Sequence, residues 1–225
     1  MNICLKEVSF TYQNHFTLNI DLEIPANSWT MIVGKNGAGK STLLKLLAGV
    51  IQPDQGTLSF GPSRVGYIFQ NPDDQIIQLS LAKELAFDLE NLGLPVQQIE
   101  NKITDFLREY DFQGRSEQSP NTLSGGEKQR LALASTLISD PDILVFDEPT
   151  AFLDYRQKEK LYQKIEMLKK NKSILWVTHE LDELFLADSI IEMEQGQISF
   201  KGSREQYLKR LSEIPFIRKH YLSCI

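Results

Sequence analysis

Between residues 8 and 24 apolar and polar positions alternate: Val8, Phe10 and Tyr12, then Phe16, Leu18, Ile20, Leu22 and Ile24. A period of two predicts half-buried strands, paired antiparallel. Residues 29–33 are a nearly unbroken apolar run that ends at Gly34, the pattern of a buried strand. Beyond Lys40, Leu43, Leu44, Leu46 and Leu47 recur at helical spacing, and Gly49 stops the helix. A second strand, 65–69, ends at Gln70. From there to about Asp140 the pattern is helical, most clearly over 84–91, 97–110 and 127–139. Strand signals return at 143–146 and 174–177, on either side of a charged helix near 157–170. Residues 190–200, broken at Gln195-Gly196, predict a hairpin, and Ser203 followed by Gln206 is a capping box that opens a last helix. Strands alternating with helices predict an α/β fold with a mainly parallel core sheet, antiparallel N-terminal strands and helices on both faces. The helical stretch 71–138 then reads as a subdomain inserted into a single domain of residues 1–225.

Composition adds little to this picture. Of 225 residues 41% are hydrophobic and 24% charged, as in an ordinary globular chain. No apolar run approaches the roughly 18 residues that cross a bilayer. The first residues lack the basic end and apolar stretch of a signal peptide. Cys4 and Cys224 have neither metal-ligand spacing nor a disulfide framework, which predicts free thiols in a reducing compartment. A net charge of -6 argues against nucleic acid as the partner, whose phosphates would be repelled, but leaves room for a local basic patch. The runs Lys158-Glu159-Lys160 and Lys169-Lys170 read as solvated helix faces.

Three segments carry chemistry. Gly34-Lys35-Asn36-Gly37-Ala38-Gly39-Lys40-Ser41, followed by Thr42, matches G-x-x-x-x-G-K-[ST] between a predicted strand and a predicted helix. Its glycines let backbone N–H groups converge on phosphate oxygens at the positive end of the helix. Lys40 is placed to reach the outer phosphates, and Ser41 to put its hydroxyl on Mg²⁺. Residues 143–146 deliver Asp147 and Glu148 at a strand's carboxyl end, where ligands of open α/β sheets bind. Asp147 suits a Mg²⁺ shell, and Glu148 suits a general base that polarises water. In Leu123-Ser124-Gly125-Gly126-Glu127 a capping box opens a helix, and two glycines let an anion approach its first N–H groups. A capped helix start is by itself an ordinary structural feature.

In this order, with His179 following, these segments resemble the ATP-binding cassette (ABC) ATPases over residues 12–202. The resemblance implies an ABC-type P-loop NTPase fold and ATP hydrolysis with Mg²⁺. It implies that Ser124, Gly125, Gly126 and Glu127 form a signature motif, which binds the ATP held by a partner's phosphate loop. It also implies adenine stacking on Tyr12, though alternation alone equally allows a core aromatic there. Gln70 resembles the glutamine that contacts Mg²⁺ or water and senses a membrane partner. Asp154 resembles an aspartate at the dimer interface, and His179 a switch histidine that contacts the γ-phosphate. Together Ser41, Gln70 and Asp147 would be the metal ligands, and Glu148, His179 and Gln70 the catalytic set.

Gln70-Asn71-Pro72-Asp73-Asp74-Gln75, with Glu84-Leu85-Ala86-Phe87 and Asn91-Leu92-Gly93-Leu94, resembles the ATPase subunits of energy-coupling factor transporters. That branch implies import of a vitamin or transition-metal ion at the cytoplasmic face of the membrane. Its partners would be a second ABC ATPase (identical or different), a transmembrane coupling subunit and a membrane substrate-binding subunit. Ile76, Ile77 and Leu79 would then be groove contacts for the coupling subunit, or else ordinary core. Phe152 stands where these ATPases usually have a small residue, and Tyr155 where proline is common. The tail, 214–225, is shorter than the C-terminal region such ATPases commonly carry, so dimerisation would lean on ATP and the membrane subunits. The alternatives are another transporter class, a soluble ABC ATPase on DNA or ribosomes, and a phosphate-loop kinase or GTPase. The last leaves the Ser-Gly-Gly segment and His179 unexplained. Lys40 and Ser124 are too close for the long coiled coil of DNA-repair members.

Overall fold

The computed structural model describes residues 2–12 and 16–213, so the tail 214–225, with Cys224, lies outside the described residues. The chain divides into two compact units, one of Met1–Gly61 with Ser173–Ile225 and one of Pro62–Lys172.

The first unit opens with strands β1 (Ile3–Thr11) and β2 (Thr17–Ile24), β3 (Trp29–Val33), helix α1 (Lys40–Leu47) and β4 (Gln55–Ser59). β1 pairs antiparallel with both β2 and β4. In β2 strict alternation holds, with Leu18, Ile20, Leu22 and Ile24 buried. In β1 it does not. Ile3, Leu5 and Val8 are the buried positions, because a bulge between Leu5 and Val8, with Glu7 at φ 50°, shifts the phase by one residue. Phe10 is half-buried and Tyr12 lies exposed beyond the strand's end. β4 is mostly exposed and carries a single large apolar residue, Leu58, so the periodicity gives no sign of it.

The second unit holds β5 (Val65–Ile68), α2 (Leu81–Asn91), α3 (Val96–Glu109), α4 (Gly125–Ile138), β6 (Ile143–Asp147) and α5 (Tyr155–Leu168). β5 and β6 pair in parallel, Ile68 opposite Phe146. Ile77 and Leu79 are 64% and 79% exposed, so they are surface residues rather than subdomain core. The chain re-enters the first unit with β7 (Ser173–Val177), β8 (Ser189–Glu194), β9 (Gln197–Ser203) and α6 (Arg204–Ser212). β3 lies between β7 and β8, parallel to both, and β9 closes the predicted hairpin antiparallel to β8. Flanked on both sides, Trp29, Met31 and Ile32 are fully buried, which is why β3 reads as continuous rather than alternating. The α/β class, the mainly parallel core pairings and the antiparallel N-terminal strands are those expected.

Candidate functional site

In the first unit β3 delivers the chain into the phosphate loop. Gly34, Gly37 and Gly39 have φ of 145°, 79° and 103°, values that side-chain-bearing residues rarely adopt. At Gly34 a Cβ would also lie 2.3 Å from the Met193 carbonyl oxygen, and at Gly39 3.0 Å from the Phe16 ring. α1 begins at Lys40 with Gly39 as its N-cap and no side chain capping it. The first intrahelical bond runs from Leu43 N to Gly39 O, so the preceding amides have no partner within the helix. Such donors, with the helix dipole behind them, suit an anion. Lys40 is 6% exposed, and its Nζ donates to Gly34 O at 2.9 Å and Lys35 O at 3.1 Å. The ammonium is thereby held inside the loop. Asn36 and Ser41 are exposed, whereas Ala38 and Thr42 are buried.

Tyr12 is 36% exposed and meets Phe10 edge-on, ring centroids 4.8 Å apart, which removes the core-aromatic alternative. His179 is exposed in the turn after β7. It shares with Gly34 and Tyr207 the wall of a cavity of about 170 Å³. Thus the phosphate loop and the histidine, 145 positions apart in numbering (179 − 34), meet through the parallel pairing of β3 with β7.

In the second unit Asp147 closes β6 and is 7% exposed; Tyr67 Oη donates to its Oδ2 at 3.2 Å. Glu148 follows at φ 49°, a left-handed conformation that is costly for a non-glycine residue. Gln70 Nε2 donates to Glu148 Oε2 at 2.8 Å, so the structure brings these two candidates together. Tyr67 left no mark in the sequence. Only the parallel register of β5 and β6 places it beside Asp147.

The Ser124–Glu127 capping box is formed: Glu127 N donates to Ser124 Oγ, and Ser124 N donates to Glu127 Oε2 at 2.9 Å. Arg115 Nη1 also donates to Glu127 at 2.8 Å, another residue the sequence did not single out. The Ser124 amide, then Arg115 and the Ser124 hydroxyl, hold the Glu127 carboxyl down to about 2. The depressed folded value means that its contribution to stability is complete above its ordinary value of 4.5 and is lost as pH falls toward 2. The thermal midpoint of wild type is therefore expected to exceed that of Glu127→Gln at neutral pH. The gap should close as the pH falls below 4.5. A pH-independent gap in calorimetry would show that the carboxylate charge is not what stabilises this helix start.

Gly126 packs beside α5, where an added Cβ would lie 2.9 Å from Gln157 Oε1. Asp154 is the N-cap of α5, accepting from Gln157 N at 2.9 Å in a second capping box with Asp-x-x-Gln spacing. Phe152 and Tyr155 are 50% and 77% exposed, and the Phe152 ring would lie 3.9 Å from a Cβ added to Gly125.

Over residues 17–151 the chain matches the family model described as ABC transporter. It is 38% identical over 221 residues to the energy-coupling factor transporter ATP-binding protein EcfA1 of Staphylococcus epidermidis, spanning 91% of this chain and 82% of that protein. The EcfA1 of Thermotoga maritima is 38% identical over 237 residues, 100% of this chain and 92% of its own length. Among solved structures, cbiO1 from Clostridium perfringens, part of the ABC transporter complex cbiONQ, superposes with a TM-score of 0.79 at 26% identity, covering 99% of this chain and 96% of that one. A dimeric ATP-binding cassette in a post-hydrolysis state with ADP and Pi shares the fold, with a TM-score of 0.81 at 24% identity over 90% of this chain and 98% of that one.

Proposed function

Because the chain belongs to the ABC transporter family, among the ATP-binding proteins of energy-coupling factor transporters, we propose that it energises import of a vitamin or metal ion through separate membrane subunits. It is an ATPase of that family. The observation that carries the proposal is likeness to a transporter ATP-binding protein over the whole chain. Among the described residues no helix is long and apolar enough to cross a membrane. In this reading the ATPase attaches through its membrane partners at the cytoplasmic face.

In this reading residues 1–225 act as a single nucleotide-binding domain with the helical stretch 71–138 inserted. The open amides of α1, with Gly34, Asn36, Gly37, Ala38, Gly39, Lys40, Ser41 and Thr42, cradle the ATP phosphates, and Tyr12 stacks on the base. Mg²⁺ would be held together with the nucleotide. Such an ion needs only one or two carboxylates besides phosphate oxygens. Of the residues that would hold it, Asp147 would supply the carboxylate, which already accepts a hydrogen bond from Tyr67, and Ser41 and Gln70 would supply neutral oxygens. The ion would neutralise charge on the outer phosphates. Glu148 takes the proton of the attacking water while Gln70 holds its carboxylate, and His179 contacts the γ-phosphate.

Ser124, Gly125, Gly126 and Glu127 bind the ATP of a second ABC ATPase, identical or different, with Asp154 at the shared interface. ATP then closes a dimer and hydrolysis reopens it, moving the membrane subunits between two states. The exposed Ile77 and Leu79 offer apolar surface to a coupling subunit. No nucleic acid enters the cycle. Purification of the tagged full chain from its native host is expected to bring down a transmembrane protein and a second ATPase. Recovery with ribosomes or DNA instead would sink the transport reading.

A further inference from the structure

Four residues beyond His179 lies a carboxylate that the chemistry above does not use. Glu183 is 1% exposed. Burying a carboxylate is expensive unless it is hydrogen-bonded, so its partners bear on why it is there. Its Oε2 accepts a 2.9 Å hydrogen bond from Nε1 of Trp176, itself fully buried. Trp176 sits on β7 opposite Met31 of β3, the strand that feeds the phosphate loop. Glu183 belongs to the short 3-10 segment Leu181–Leu186. The bond therefore ties that segment back across residues 178–180 to the strand they have just left.

The near side of the same turn is also fastened. Thr178 N donates to Ile32 O at 3.3 Å, and Thr178 Oγ1 accepts from Glu180 N at 2.9 Å. His179 is thus an exposed member of a short bridge held at both ends, and it lines the cavity it shares with Gly34. Fixing both ends removes backbone freedom that the turn would otherwise have to lose when nucleotide binds.

We infer that Glu183 is a positioning residue for His179, acting through its hydrogen bond to Trp176. The inference rests on the reading of His179 as the γ-phosphate contact. Three substitutions separate the bond from bulk effects. Trp176→Phe removes the donor but keeps a buried aromatic ring. Glu183→Leu removes the acceptor, and Glu183→Gln retains an acceptor oxygen.

In the full chain purified with its membrane subunits, Trp176→Phe and Glu183→Leu are expected to lower kcat about tenfold while the KM for ATP stays within about twofold. Glu183→Gln is expected to recover most of the turnover lost in Glu183→Leu. In a His179→Ala background neither Trp176→Phe nor Glu183→Leu should reduce kcat further, because their effect passes through that imidazole. Losses that add to that of His179→Ala overturn the inference, as does a KM that moves in step with kcat. Unchanged turnover in both Trp176→Phe and Glu183→Leu, with His179→Ala impaired, overturns the inference alone. Normal turnover in His179→Ala overturns the reading of that histidine and the inference with it. Should Glu183→Leu fail to accumulate, Trp176→Phe carries the test.

Discussion

With Glu148 replaced by glutamine, ATP binding is expected to persist while turnover falls by about 10²–10⁴-fold, the usual contribution of a positioned general base. The geometry makes this substitution unusually clean. Glu148 accepts a hydrogen bond from Gln70 Nε2, and a glutamine in its place keeps an oxygen that can accept the same bond. Shape and the Gln70 contact survive, while the negative charge and the basicity are lost. The backbone supports a functional reading of this position, since φ 49° at a non-glycine residue costs about 1–3 kcal/mol and persists only where its surroundings enforce it. Here a buried strand, Ile143–Asp147, leads in and Pro149 leads out. Phosphate release and nucleotide titration separate the two effects. With ATP retained but not cleaved, a dimer should accumulate on gel filtration. Wild-type hydrolysis in Glu148→Gln would remove Glu148 from the role of base.

What was legible in the sequence follows from how far apart the partners lie along the chain. The phosphate loop compresses its chemistry into consecutive residues, so its glycines, Lys40 and Ser41 announce themselves. The capping box of Ser124 and Glu127 spans one helical turn and is equally plain. Gln70 and Glu148 are 78 positions apart, and Tyr67 and Asp147 are 80. Their contacts exist only because β5 and β6 run parallel in a particular register, which no local pattern encodes. Glu183 carries no signal in the sequence, because a carboxylate in an acidic run, Glu180 to Glu183, gives no hint that one of its members is buried on a tryptophan. The bulge at Glu7 misplaced the buried face of β1 for a related reason. One left-handed residue inverts a period-two pattern, and composition does not mark where it falls.

Substitution of Lys40 by methionine is expected to produce the other large effect, in binding rather than in the chemical step. Methionine has similar length and fills the buried position, so packing is largely conserved. It cannot donate, and Gly34 O and Lys35 O both lose the ammonium that closes the loop over them. The phosphates also lose the one positive side chain that the loop holds buried. Removing one member of a buried, hydrogen-bonded charge pair costs about 2–5 kcal/mol. At about 1.4 kcal/mol per tenfold, ATP affinity should fall by roughly 30- to 4,000-fold. Isothermal titration of the full chain reads this directly, and a thermal midpoint near that of wild type in the absence of nucleotide would confirm that the fold is intact. The α1 amides remain in place in this variant, so residual weak binding is consistent with the reading. Affinity within about twofold of wild type is not, because it would mean that the helix dipole and amides hold the phosphates without help.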